Sequence, residues 1–189
     1  MNKILFVNSC VRENSRTMVL AQRVLQHLSG EITECNLAAA NVPVLDGALL
    51  EKRDKLIAAG DYSDPMFDYA KDFAEADIIV IAAPCWDLTF PALLKIYLEN
   101  ITVAGIAFEY VEGRPHGLCK AKQLIYVATA GGPVFVDMAF DYIKTLTTGL
   151  CGVDEAISFK ADKLDIFGMD VDGILQSACA EIDNYFMQR

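Results

Sequence analysis

The sequence predicts a three-layer α/β/α domain built on a doubly wound, five-stranded parallel sheet. Three observations carry that prediction: continuous apolar runs of strand length, amphipathic helical segments between them, and turn residues at the boundaries. The clearest runs cover residues 4–7, 78–83 and 124–128, and weaker ones cover 32–35 and 156–159. A strand covered by helices on both faces loses the in/out alternation of a half-exposed strand and reads as unbroken apolar sequence. Strands that alternate with helices form parallel crossover units.

The elements follow in order. The run at 4–7 opens into a polar loop, after which Ala21, Val24, Leu25 and Leu28 share one helical face and Gly30 suits the helix end. Residues 37–69 leave the alternation. Asn41, Pro43, Asp46 and Gly47 precede a helical piece at 49–59, so this stretch is expected to be a long connection carrying one or two helices near the ligand mouth. Beyond the run at 78–83, Pro91 suits a helix first turn, Leu94, Tyr97, Leu98 and Ile101 form a face, and Gly105 suits its end. Phe108 and Tyr110 alternate as in a short hairpin strand. Ala139, Ile143, Leu146 and Leu150 define the next helix. Asp170 is a good N-cap for the last, which carries Val171, Ile174, Leu175, Ala178 and Ile182. The 189 residues are expected to form a single domain, with no repeat and no second boundary.

Composition narrows the function. With 53% apolar residues the chain is not a disordered one, and no apolar stretch approaches the roughly 18 residues of a membrane span. The N-terminus has a single lysine before a short run and no small-residue cleavage site, so a cytoplasmic protein is expected. Six scattered cysteines without a CxxC pair, and only two histidines, offer no metal site by local spacing and suit a reducing compartment. A net charge of −10 disfavours nucleic acid as a partner.

Three loops follow the first, third and fourth strands. A doubly wound sheet gathers such loops beyond the carboxyl ends of its strands. The first holds Ser9, Cys10, Arg12, Asn14, Ser15, Arg16 and Thr17 just before a helix. It lacks the glycine fingerprints of dinucleotide and nucleoside-triphosphate sites. Two readings fit it equally: a phosphate held by hydroxyls, amides and a cation at the helix start, or a capping Asn14 or Ser15 with solvated arginines. The second loop holds Pro84, Cys85, Trp86, Asp87 and Leu88, ending at Pro91. The only tryptophan of the chain either stacks on a wide, flat ligand or closes the end of the core, and the flanking prolines favour the ligand. The third runs from Thr129 to Phe135 and holds Thr129, Ala130, Gly131 and Gly132, whose glycines serve close approach to a ligand or a sharp turn. A phosphate at one end and a planar ring at the other are the two demands of FMN.

These residues carry a resemblance to the FMN-dependent NADH:quinone oxidoreductase and azoreductase family, flavodoxin-like in fold. The likeness is strongest in IIVIAAPCWDLTFPALLKIYLENITVAGIAFEY and the following Gly113, Pro115, Gly117 and Leu118, and weaker at the start, in the ECNL and VPVLD stretches, and in ATAGGP. It extends to about residue 160. The resemblance implies that Ser9, Cys10, Ser15, Arg16 and Thr17 hold the FMN phosphate, with Arg12 either an added cation or a solvated side chain. Pro84, Cys85, Trp86, Asp87 and Leu88 would line the flavin ring, and Thr129, Ala130, Gly131 and Gly132 would approach its pyrimidine side. It also implies a homodimer, with Phe108 and Tyr110 near the interface unless they are core aromatics. The chain departs from the family in having Trp86-Asp87-Leu88 where a Tyr-Asn-Phe-like stretch is usual, and Cys10 where a second serine is usual.

The implied chemistry is two-electron transfer from NADH or NADPH, through flavin, to a quinone, an azo compound or another flat acceptor. Because the flavin does that chemistry, no side chain is assigned as a catalytic acid or base. Asp87 would reach the flavin edge or cap the next helix, and His116 reads as a turn or surface residue. A one-electron carrier of the flavodoxin type and a non-enzymatic interaction module are the rival readings.

Overall fold

The computed structural model describes all 189 residues. Five parallel strands form the sheet: β1 (Asn2–Asn8), β2 (Gly30–Asn36), β3 (Ile78–Ala82), β6 (Gln123–Thr129) and β7 (Glu155–Ala161), in the order β2-β1-β3-β6-β7. An antiparallel hairpin, β4 (Phe108–Val111) with β5 (Arg114–Gly117), stands apart from them, as the alternation around Phe108 predicts. The strongest apolar runs became the three central strands. The two mixed runs became the edges, where one side needs no burial.

Helices α1 (Arg16–His27) and α6 (Val171–Met187) cover one face of the sheet, where Leu20, Val24 and Ile182 pack on Phe6, Val80, Ile125 and Val127. On the other face, α3 (Asp68–Glu75), α4 (Ala92–Ile101) and α5 (Met138–Gly149) bring Phe73, Leu94, Tyr97, Leu98 and Ile143 onto Leu5, Ile79, Ile81 and Tyr126. Helix α3 is absent from the periodicity reading because only Ala70, Phe73 and Ala74 mark its buried face in two turns. No helix is long and apolar enough to cross a membrane.

Three expectations are corrected. The connection at 37–69, with α2 (Gly47–Ala59), does not reach the ligand mouth. It lies along α4, where Asn100 Nδ2 donates to Pro43 O (2.8 Å) and the Tyr62 hydroxyl donates to Ala104 O (3.1 Å). Gly30 does not end α1. It begins β2, where an added Cβ would stand 2.3 Å from Asn2 O, so the glycine permits a close strand approach. Helix α4 ends at Ile101 with Thr102 as its C-cap, and Gly105 lies in the following turn at φ +86°, against the Tyr62 ring. Asp170 does cap α6, accepting from the Gly173 amide at 3.0 Å.

Candidate functional site

Strand order reverses between β1 and β3, so the loops leaving their carboxyl ends diverge and leave a crevice between them. Cys10, Arg12, Asn14, Ser15, Arg16 and Thr17 line one end of this cleft, Pro84, Cys85 and Trp86 its middle wall, and Thr129, Ala130, Gly131 and Asp165 the wall opposite. This polar arm encloses about 180 Å³ of water-accessible space. Across Cys85, Ala130 and Gly131 it continues into an apolar arm of about 560 Å³, lined by Asp87, Leu88, Gly132, Pro133, Val134, Phe135, Val136 and Met138. The three loops singled out in the sequence therefore meet in one trough.

The polar arm is the start of α1. Ser15 occupies the N-cap with extended backbone, yet its hydroxyl makes no cap hydrogen bond. The amides of Ser15, Arg16 and Thr17 have no backbone acceptor either. Three unpaired donors at the positive end of a helix form a seat for an anion. Thr17 is fully buried, its hydroxyl 2.7 Å from that of Thr129, which ties the first loop to the third. Arg12 lines this end and forms no ion pair, whereas Arg16 donates to Leu164 O (2.8 Å) and to Asp165 Oδ1 (2.7 Å). Ser9 stands behind the wall, fully buried, and its hydroxyl donates to Ala82 O at 2.9 Å. Burial raises the Cys10 thiol above its ordinary value, against the lowering effect of hydrogen bonds with Ser15 and Thr17. Cys10 thus stays a neutral, weak donor at this wall.

The middle wall is a two-residue hairpin. Trp86 and Thr89 exchange both backbone hydrogen bonds at 2.9 Å, and Asp87 and Leu88 between them have φ of +48° and +68°. Positive φ at both central positions is the pattern of a type I′ turn, in which a bulky leucine is strained. The turn leaves Trp86 40% and Leu88 73% exposed along the trough. Asp87 caps no helix, because Pro91 is the N-cap of α4 and no side chain caps it. The Cys85 amide donates to Thr129 O (2.9 Å), locking this wall to β6. Burial, reinforced by the carboxylates of Asp137 and Asp87, raises the Cys85 thiol.

The opposite wall carries the two glycines. Neither has positive φ, so the bend at this point does not need glycine for its backbone conformation. Their amides have no acceptor within the chain, and a Cβ on Gly132 would meet nothing within 4 Å. At Gly131 the constraint comes from a fourth loop, after β7. The amides of Lys163, Leu164 and Asp165 donate to Gly132 O, Ala130 O and Gly131 O at 3.2, 3.2 and 2.9 Å, and a Cβ on Gly131 would stand 2.1 Å from Asp165 Oδ2.

Sequence reasoning omits Asp165, and it carries the third loop to Phe135 without assigning Val134 to Met138 to the site. The run Val134-Phe135-Val136 directly after Gly-Gly-Pro was the available signal for the arm, since apolar residues in a loop need a reason to be there. Asp165 carries no local signal; its place depends on β7 lying beside β6. His116 is exposed on β5, paired with Glu109, and lies outside the trough.

A parallel sheet with a phosphate-sized, amide-lined cleft at its switch point defines a class, and known proteins agree with it. The family model described as flavodoxin-like fold matches residues 2–186. An FMN-dependent NADH:quinone oxidoreductase of Caldicellulosiruptor saccharolyticus is 32% identical, the alignment covering 97% of each chain. Among solved structures, the azoreductase from Bacillus anthracis str. Sterne superposes with a TM-score of 0.85 at 22% identity over the whole of both chains. An FMN-dependent NADH-azoreductase from Bacillus anthracis str. Ames Ancestor, in complex with FMN, gives 0.80 at 22% identity over 100% of this chain and 99% of its own. The chain belongs to the flavodoxin-like FMN-dependent NADH:quinone oxidoreductase family.

Proposed function

We propose that this chain, working as one domain, is an FMN-dependent oxidoreductase that moves two electrons from NADH to a quinone, an azo compound or a similar flat acceptor. The observation that carries the reading is the trough itself: unpaired amides and the Ser15 hydroxyl at a helix start, beside Trp86, lead without a break into an apolar slot walled by Leu88, Phe135 and Met138. A phosphomonoester attached to a flat ring system satisfies both halves, and neither half alone requires the other.

In this reading the Ser15 hydroxyl, with the amides of residues 15–17, holds the phosphate, Thr17 ties that seat to Thr129 from behind, Arg12 supplies a cation, and Cys10 closes the seat from below. Pro84, Cys85 and Trp86 support one side of the ring. The free amides of Gly131 and Gly132 face its other edge, where fixed donors stabilise negative charge that develops on reduction. Bound FMN supplies the hydride-accepting and electron-donating chemistry, and no protein side chain has to exchange a proton. Leu88, Phe135, Val136 and Met138 give the slot above the ring an apolar lining and suit an uncharged, flat acceptor. Six free thiols fit a reducing cytoplasm.

The wide exposure of Phe135 (91%), with Val136, Leu88 and Tyr110 also open, supports a homodimer in which a second copy covers the apolar arm. The arm is too open to exclude water by itself.

The test is an absorbance spectrum of the purified chain before and after anaerobic NADH. A yellow protein that bleaches rapidly to the two-electron level and recovers with a quinone is expected. A chain that stays colourless after incubation with FMN overturns the reading, and one that binds FMN but is not reduced by NADH leaves the one-electron carrier standing.

A further inference from the structure

Asp165 is fixed on three sides within the polar arm. Its amide donates to Gly131 O at 2.9 Å, its Oδ1 receives Arg16 Nη2 at 2.7 Å, and Arg16 Nη1 holds the neighbouring Leu164 O at 2.8 Å. Its Oδ2 receives no donor and lies so close to Gly131 that a Cβ there would be 2.1 Å away. Gly131 has an ordinary φ, so the position needs glycine for room and not for backbone conformation. The carboxylate lines the cleft between the hydroxyl end at Ser15 and Thr17 and the glycine wall, and its side chain is 67% exposed.

A carboxylate in a cleft for a phosphate is unfavourable unless a cation offsets it, and Arg16 does so. The same bond withdraws Arg16 from service as the phosphate's counter-ion. What remains is an ionised group with a free oxygen, which can only accept hydrogen bonds. The ligand segment between charged tail and flat ring must therefore offer donors, and hydroxyls are the groups that do.

Resting on the cofactor reading above, we infer that Asp165 recognises the polyhydroxyl chain of the flavin, with Arg16 as its positioning residue and Arg12 as the cation for the phosphate. The discriminating probe is riboflavin, which keeps the hydroxyl chain and lacks the phosphate. Dissociation constants for FMN and riboflavin are measured by flavin fluorescence quenching on the full chain freed of flavin, with circular dichroism as the check of folding. Asp165→Ala is expected to weaken both flavins by about tenfold or more and by the same factor, as loss of a hydrogen bond to a charged group requires. Asp165→Asn, which keeps an acceptor oxygen, should restore most of the affinity. Arg16→Ala should also weaken both equally, whereas Arg12→Ala should weaken FMN alone.

If Asp165→Ala leaves riboflavin unchanged and tightens FMN, the carboxylate merely masks Arg16 and the inference is overturned. Unchanged affinity for both flavins overturns it as well, as does an Arg16→Ala variant that loses FMN alone. A wild-type chain that binds neither flavin removes the cofactor reading and this inference together, whereas the three preceding outcomes leave that reading intact.

Discussion

At the polar arm of the trough, Thr17 is bonded to Thr129, Arg16 to Asp165 and Leu164, and Cys85 to Thr129. At the apolar arm, Leu88, Phe135, Val136 and Met138 project into solvent, and the turn that carries Leu88 holds two side-chain-bearing residues at positive φ. One end is cross-linked before any ligand arrives; the other is open and strained. The difference suits a cofactor that stays and an acceptor that leaves. A resident group gains from a preorganised seat, because ordering costs have been met in folding. Transient partners need a surface whose side chains are free to be covered and uncovered.

The sharpest way to break this contrast is to remove the phosphate's side-chain contacts from the rigid arm. Ser15→Ala combined with Arg12→Ala should raise the dissociation constant for FMN by roughly 100-fold or more, from two lost hydrogen bonds to a charged group at about 1.5–3 kcal/mol each. Fluorescence titration measures it, and an unchanged constant would move the phosphate elsewhere.

A smaller effect is expected on the open arm. Leu88→Gly creates an Asp-Gly pair, which type I′ turns favour, and relieves a left-handed leucine that costs about 1–2 kcal/mol, less the roughly 0.5–1 kcal/mol of added glycine flexibility. The variant should melt a few degrees higher. Its KM for a quinone should rise while its affinity for FMN stays constant, because Leu88 lines the apolar arm and not the polar one. A lower melting temperature would show that this turn is not strained.

The smallest effect lies outside both arms, on the helical face where Arg23 and His27 meet Asp183. The Arg23 bond, followed by that of His27, lowers the Asp183 carboxyl from 3.8 to about 2. A depressed folded-state value adds stability at pH above 3.8 that fades as the pH falls toward 2. Asp183→Asn should therefore melt slightly below the wild type at neutral pH, with the gap closing in that acid window. A gap independent of pH would assign the effect to packing.

Much of the fold was legible in the chain because burial on two faces leaves a strong signature. Residues 4–7, 78–83 and 124–128 are apolar without interruption, and all three are central strands. Helix α3 was missed because two turns with three small or aromatic contacts give too short a period to recognise. Gly30 and Gly105 follow helical segments, yet one gives room for a strand and the other shapes a turn. Ser9 belongs to the same loop as Ser15 by sequence and behind the wall by structure, since its backbone still extends β1 toward Ala82.

Local sequence, then, determined the layer architecture, the three loops and their chemistry, because hydrophobic periodicity and turn residues act over a few neighbours. Only the tertiary structure decided which side chains share the cleft. Arg16 and Asp165 are 149 residues apart, and they meet because β7 pairs with β6 in one register and carries its loop onto Gly131. Contacts of that range depend on strand order and register, which no short stretch of residues encodes.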